Sequence, residues 1–301
     1  MSKNEYFLSI IIPTYNRCEE LEETLIALNN QINVNKFEVV IVDDGSTDQT
    51  KLIVLKFKEI AKFELLYIYQ INSGPSVARN VGINKSNGNL VMFIGDDTRP
   101  ADMNFLNKHI TFLKKYNFEI ASLGLTCWDK RYNSDEFMNF LAPYGIQFNY
   151  TGLKQGDLCH WGMLWTSNIV LLKKWFDDNL FDTNFKYAAL EDVELGYRFR
   201  KKGLKIRFNS SAIMFHNHHY ELKGFKKRQF LVGRSLFYFL EKWPELVGEF
   251  RPKRIFIKKT ILFFKVIFPF LLKIKLFNKY YLTSLLTLKA YEGYLYEKSN
   301  S

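Results

Sequence analysis

Cysteine is scarce in this 301-residue chain: three residues, Cys18, Cys127 and Cys159, odd in number and never spaced Cys-x-x-Cys. That argues against a disulfide framework or a thiolate zinc site and points to a reducing compartment. Long uncharged hydrophobic runs are missing too. The most apolar stretch, residues 251–282, is interrupted by Lys258, Lys259, Lys265, Lys273 and Lys275, and Pro269 would kink a helix there. It falls short of the roughly 18–20 uncharged residues that span a bilayer. The N-terminal residues carry no signal-peptide pattern, because a few polar residues lead into a short apolar run without a small-residue cleavage site. Internal repeats and low-complexity linkers are absent.

What is present is a core-forming composition, 47% apolar, enough for one large domain plus an appendage. The division expected is 1–235 for the main domain and 236–301 for a basic, aromatic-rich helical segment. The net charge of +11 sits at one end: from Glu221 onward there are 17 Lys and Arg against 6 Asp and Glu, whereas the first 220 residues hold 25 of each sign. A basic excess so confined predicts a local anionic surface as partner, not a cleft wrapped around nucleic acid.

Strand-like runs near 7–12, 38–42, 65–70, 90–94 and 119–125 alternate with helical patterns near 18–31, 48–62, 76–86 and 101–116. The alternation predicts an α/β fold, with βαβ units around a mostly parallel central sheet and flanking helices. Residues 127–160 lose the rhythm and turn rich in aromatics, Asn and Gly, as a substrate-binding insertion would. A further helix is expected over 190–202, with Arg200, Lys201 and Lys202 in its last turn and Gly203 beyond.

The polar clusters that end these strands carry the chemistry, since ligands of such sheets sit beyond the carboxyl ends of the strands. Ser9–Ile12 stops at Pro13-Thr14-Tyr15-Asn16-Arg17, and Val39–Val42 stops at Asp43-Asp44-Gly45-Ser46. Paired carboxylates repel a phosphate but suit N–H and hydroxyl donors, such as those of a base and a ribose. Read alone, Asp43–Ser46 is also an ordinary turn with Ser46 or Asp48 as the next helix cap. A second acidic pair, Asp96-Asp97, ends the run Leu90–Ile94, where a pyrophosphate would need a divalent cation between itself and the carboxylates. Asn72-Ser73-Gly74-Pro75 opens a helix that places Arg79 and Asn80 one turn in, within reach of a ribose or phosphates near a favourable helix N-terminus. The alternative is a surface helix whose Gly82 permits close packing on the sheet.

At these residues the chain resembles the family 2 glycosyltransferases, enzymes of the GT-A fold that use nucleotide-sugar donors. The resemblance extends over roughly residues 7–235. It implies that Asp44, with Asp43 nearby and Pro13, Thr14 and Tyr15 alongside, holds the donor base. It implies that Arg79 and Asp96 bind the donor, as does Asn80, within the family's Gly-x-x-x-Ala-Arg-Asn-x-Gly pattern. Asp96-Asp97 stands where the family carries Asp-x-Asp, with Gly95 at the first acid's place, so Asp97 becomes the expected ligand of Mn2+ or Mg2+ and Asp96 covers the ribose contact. His216, after the strand-like Ala212–Phe215, matches a metal-binding histidine of the family. Glu191-Asp192 matches its Glu-Asp pair, and Asp192 is assigned as the base of an inverting transfer. Its place in a first helical turn would lower its pKa and keep it ionised. Trp161 and Trp165 are candidates for stacking on an acceptor sugar, with a place in the core as the alternative.

The function implied is transfer of a hexose or N-acetylhexosamine from a nucleotide-diphosphate donor, a UDP-sugar first, to a hydroxyl of a glycan, lipid-linked or protein acceptor. The tail predicts peripheral contact with the cytoplasmic face of the cell membrane through 251–282, its lysines among bulky apolar groups, the alternative being a C-terminal helical pair packed on the domain with its lysine stems snorkelling. Two rivals remain. A nucleotidyltransferase would want a Gly-rich basic loop where Pro13-Thr14-Tyr15-Asn16 stands. A non-catalytic polyanion-binding protein would need none of the acids.

Overall fold

The apolar runs of the central strands form strands because their side chains are buried on both sides of one sheet, whereas the edge run Glu64–Tyr69 is only partly buried. The computed structural model describes residues 8–34, 36–129, 131, 134–250 and 275–300. In chain order the elements begin β1 (Leu8–Thr14), α1 (Cys18–Asn29), β2 (Phe37–Asp43), α2 (Thr50–Lys58), β3 (Glu64–Tyr69), α3 (Pro75–Lys85) and β4 (Leu90–Ile94). There follow β5 (Thr98–Pro100), α4 (Phe105–Lys115), β6 (Ile120–Trp128), α5 (Glu136–Leu141), β7 (Asn168–Leu172), α6 (Glu191–Lys201) and β8 (Lys205–His216). The chain closes with α7 (Leu222–Lys242), α8 (Val247–Phe250) and α9 (Lys275–Asn300).

The described strands form one sheet in the order β3-β2-β1-β4-β7-β6-β8-β5. The first four are mutually parallel, and β2 and β4 are buried at every position, which is why they read as unbroken apolar runs rather than alternations. β7 then runs antiparallel between β4 and β6, β6 and β8 are parallel, and β5 pairs antiparallel with β8. At three and five residues, β5 and β7 are too short for periodicity to reveal. Gly82 of α3 sits so close to β1 that a Cβ there would lie 2.4 Å from Ile11 Cγ2. A buried polar lattice ties the sheet's second half together. His109 lies 2.8 Å from Ser122 Oγ and 2.9 Å from Asn168 Oδ1, and Asn168 Nδ2 donates to the carbonyls of Leu125 and Ala212.

The chain divides into two units. The first holds residues through Asp135, Ala142–Asn184 and Glu191–His218, and so the whole sheet. The second holds Glu136–Leu141, Phe185–Leu190 and everything from His219. α7 therefore belongs with the C-terminal part, earlier than the expected boundary at 235/236. Within that unit α7 and α9 meet backbone to backbone: a Cβ on Gly233 would fall 1.7 Å from Ala290 O, and one on Gly293 would fall 1.9 Å from Phe230 O. α9 buries Leu286, Ala290, Tyr291 and Tyr294. Arg234 pairs with Glu297 and lies over the rings of Tyr187 and Tyr296. Most of the predicted membrane-contact stretch, 251–274, lies outside the described residues, and its remainder begins α9. Among the described residues, no helix is long and apolar enough to cross a membrane.

Candidate active site

β4 ends at Ile94, and Gly95-Asp96-Asp97 turn the chain into β5, whose Thr98 pairs with His216 at the end of β8. The turn thereby delivers both carboxylates to the foot of the histidine pair. His216 Nε2 lies 3.3 Å from Asp97 Oδ1, and His218 Nδ1 lies 3.8 Å from Asp97 Oδ2. Trp128 stacks on the His216 ring at 5.4 Å. Thr14 Oγ1 donates to Asp96 Oδ2 at 2.9 Å, while Arg17 Nη1 is 3.0 Å from Asp96 Oδ1 and also touches Asp97 Oδ2. From α1, the Thr24 hydroxyl reaches the carbonyls of Asp96 and Thr98 and fixes the turn from below. The glycine at the first place of the acidic triplet has a steric reason, because a Cβ on Gly95 would lie 2.7 Å from Asp97 Oδ1.

The two acids are driven apart electrostatically. Burial and the neighbouring Asp97 charge raise Asp96, against Arg17 and Thr14. Burial would also raise Asp97, but His216, Arg17 and His218 outweigh it and hold its carboxyl below the usual range. This donor set fits a divalent cation. Oxygen and imidazole ligands bound at about 2.0–2.2 Å stand about 3 Å apart, close to the spacing of Asp97 and His216. A positive group, the Arg17 guanidinium, already lies against the same carboxylates. Asp97 and His216, with His218 nearby, would hold the ion. A mixed carboxylate and imidazole set suits Mn2+. Among the described residues no group of three or more His, Cys, Asp and Glu is arranged to hold an ion.

At the end of β2 both acids are engaged by the protein. Asp43 accepts from Ser46 N (2.8 Å) and Tyr67 OH (2.6 Å). Asp44 accepts from Gln70 Nε2 (2.6 Å), Ser73 N (2.8 Å) and Gly74 N (2.9 Å). Asp44 thus anchors the loop that enters α3. Any contact with a base has to share this carboxylate or replace one of its bonds. Tyr15, half exposed, stands in the neighbouring loop, which Asn16 ties to Ser46 and Thr47.

α3 and α6 meet through Arg79 and Glu191, Nη1 to Oε1, at 2.8 Å. The Arg79 guanidinium also lies 5.4 Å from the centre of the Phe181 ring. Leu190 enters α6 at φ +67°, a strained conformation for a bulky residue. Asp192 corrects the expectation of a depressed pKa. Burial and the charge of Glu191 push it up to about 7, against Arg79 and the backbone N–H groups of Val193 and Thr166. The macrodipole loses to desolvation and to a like charge next door.

Two further site candidates have partners inside the protein. The Asn80 amide grips the backbone of Phe181, donating to its carbonyl (2.9 Å) and accepting from its N–H (2.8 Å), so any contact with a donor has to share this clamp. Trp161 is buried, its ring packed against Tyr197 (4.9 Å) and His160 (4.6 Å). It borders a cavity of about 390 Å³ formed with Arg200, Lys205 and Ile206, at the opposite end of β8 from His216. Trp161 is therefore a core residue in this fold. Trp165, half-buried, sits edge-on to Phe148 (5.3 Å) and Tyr150 (5.2 Å). Sequence reasoning assigned no role to Arg17 or His218. One signal was available for Arg17: a cation at the N-cap of α1, with no side-chain cap bond, defies both capping preference and the helix dipole.

Residues 9–180 match the family model described as glycosyl transferase family 2. Chondroitin synthase of Pasteurella multocida is 29% identical over 241 residues, covering 69% of this chain and 24% of that protein. The chain thus spans about a quarter of that relative's length. A mannosyltransferase from Pyrobaculum calidifontis, solved with GDP-Man and Mn2+, superposes with a TM-score of 0.58 at 16% identity, over 98% of this chain and 75% of that one. Residues 1–349 of TarS from Staphylococcus aureus, solved with UDP, superpose with a TM-score of 0.53 at 19% identity, over 98% of this chain and 92% of that one. These likenesses identify the sheet and its helices as the GT-A fold, and with more than half of its length matched by the family model, the chain belongs to glycosyl transferase family 2.

Proposed function

We propose that the chain transfers a sugar, with inversion, from a nucleotide-diphosphate donor to an acceptor hydroxyl, assisted by a divalent cation. The observation that carries this reading is the carboxylate–histidine pair, Asp97 Oδ1 and His216 Nε2 at 3.3 Å, beyond the end of β4, and it is supported by Asp192, a carboxylate that burial and the Glu191 charge raise above its usual range. Asp192 takes the proton from the acceptor hydroxyl as that oxygen attacks the anomeric carbon. A base titrating near 7 balances availability against basicity at neutral pH. Arg79 holds Glu191 and limits how far the Glu191 charge raises Asp192. Asp97 and His216 would hold Mn2+ or Mg2+, which would supply the positive charge that offsets a departing diphosphate. Thr14 keeps Asp96 in place from the other side.

The donor proposed is a UDP-sugar carrying a hexose or N-acetylhexosamine, with GDP-mannose as the competitor, since the structural neighbours named above were solved with UDP and with GDP-Man. The acceptor proposed is a glycan, lipid-linked or protein hydroxyl in surface-polysaccharide assembly. The basic stretch 251–282 would hold the enzyme peripherally at the cytoplasmic membrane face. Thermal stabilisation and donor hydrolysis across a panel of nucleotide sugars, with Mn2+ and with chelator, test the reading. One preferred donor, used only with metal, is expected. Equal indifference to every nucleotide sugar would refute it.

A further inference from the structure

Arg17 occupies a place that local preference disfavours. It is the N-cap residue of α1, where Ser, Thr, Asp or Asn would satisfy an orphan N–H, and its positive charge sits at the positive end of the helix. The helix end is served instead by Asp48, whose Oδ2 accepts from Cys18 N at 3.1 Å, and by Glu19 and Glu20 in the first turn, which leaves the Arg17 side chain to a tertiary role. Its guanidinium lies between Asp96 and Asp97, which are 6% and 8% exposed, and it is the strong cation on that buried pair. The other oxygen of Asp97 faces His216 and the other oxygen of Asp96 faces Thr14.

We infer that Arg17 is a built-in competitor for the divalent cation: the acid pair holds the guanidinium when metal is absent and must release it from Asp97 when metal binds. The inference rests on the metal-assisted reading of the site. Two buried carboxylates without a counter-charge would be costly, so the metal-free protein needs a cation there. A metal ion on Asp97 would meet Arg17 at a few ångströms, like charge against like charge in a desolvated turn. The loop carrying Arg17 is tied to the Asp43–Ser46 loop, through Asn16 N to Ser46 Oγ (2.9 Å), Thr47 N to Asn16 Oδ1 (2.8 Å) and Cys18 N to Asp48 Oδ2 (3.1 Å). Release of Arg17 is therefore felt at the strand end assigned to the donor base, which couples metal and nucleotide binding.

The test is direct Mn2+ binding without nucleotide, read as free Mn2+ by electron paramagnetic resonance, for wild type, Arg17→Met and Arg17→Lys in the full chain. Arg17→Met is expected to bind Mn2+ roughly two- to fivefold more tightly, the scale of one partly exposed ion pair removed. Arg17→Lys, which keeps the charge without the fork, falls between. Melting in chelator should drop for Arg17→Met and recover further on adding Mn2+ than wild type does. If Arg17→Met fails to fold, a Mn2+ affinity of Arg17→Lys at or below that of wild type overturns the inference. Equal or weaker Mn2+ binding by folded Arg17→Met also overturns it, while leaving the metal reading intact. Absence of Mn2+ binding by all three proteins overturns the metal reading and this inference together.

Discussion

Arg79 and Glu191 are 112 positions apart, yet Nη1 and Oε1 meet at 2.8 Å with both side chains largely buried. The other Glu191 oxygen, Oε2, has no hydrogen-bond partner among the described residues. The pair fastens the helix that begins with Glu191-Asp192 to the helix that follows the Gly74 turn. The charge that tunes Asp192 is thereby itself held in place.

Arg79→Met leaves Glu191 as an uncompensated buried carboxylate. We expect a loss of about 3–5 kcal/mol in stability, the range for breaking a buried pair from one side. We also expect the acid limb of the pH–rate profile to move to higher pH, since Arg79 lowers Asp192. An unchanged melting temperature together with an unmoved limb would rule this out.

Asp192→Asn should leave nucleotide-sugar affinity within a few-fold of wild type and cut turnover by roughly 10²-fold or more. The wild-type rate should rise with pH through about 7, because only ionised Asp192 accepts a proton and burial with Glu191 has raised it there. The variant should lack that limb. A collapse of donor binding with turnover preserved at saturation would remove Asp192 from the role of base.

Asp97→Ala should abolish transfer and weaken donor binding when Mn2+ or Mg2+ is present. Its carboxylate is the one shared by His216 and Arg17 at the end of the β4 turn. Isothermal titration with nucleotide, with and without metal, checks this. Full wild-type activity under thorough chelation would remove the metal from the mechanism.

His109 predicts an acid-side loss of stability. Burial pushes its pKa down to about 4 from 6.5, against the bond to Asn168. The unfolded chain then binds more protons than the folded one between those values. Stability is full above about pH 6.5 and falls towards pH 4, by about 3 kcal/mol in all. His109→Gln should flatten that part of the curve. Urea denaturation at several pH values measures it, and identical slopes for the two proteins would discard the idea.

The tail is better tested by charge than by truncation. Removing 251–301 would also delete α9 and strip α7 of its backbone contact with Ala290 and Gly293. In the full chain, Lys258, Lys259, Lys265 and Lys273 changed together to Gln should reduce binding to anionic vesicles more than tenfold, at up to about 1 kcal/mol per lysine. Co-sedimentation at low salt decides it. A wild-type protein that stays in solution would end the membrane proposal.

Local sequence pattern suffices for the parallel half of the sheet and its acidic strand ends. Val39–Val42 and Leu90–Ile94 are buried on both faces, so their character is local and continuous. The turns after them announce themselves through Asp, Gly and Ser. The position of Asp97 just past the apolar run Leu90–Ile94 and of Asp192 in a first helical turn was legible for the same reason. Tertiary structure alone decided how these groups are charged and paired. Asp192 rises rather than falls because Glu191 and burial outweigh a helix end, and burial is a property of what packs around a residue. Asn80 clamps Phe181, Arg17 bridges Asp96 and Asp97, and Arg79 meets Glu191, across 79 to 112 positions of chain. Such partners are fixed by the strand order β1-β4-β7-β6-β8, including the short antiparallel β7, and no local pattern encodes that order.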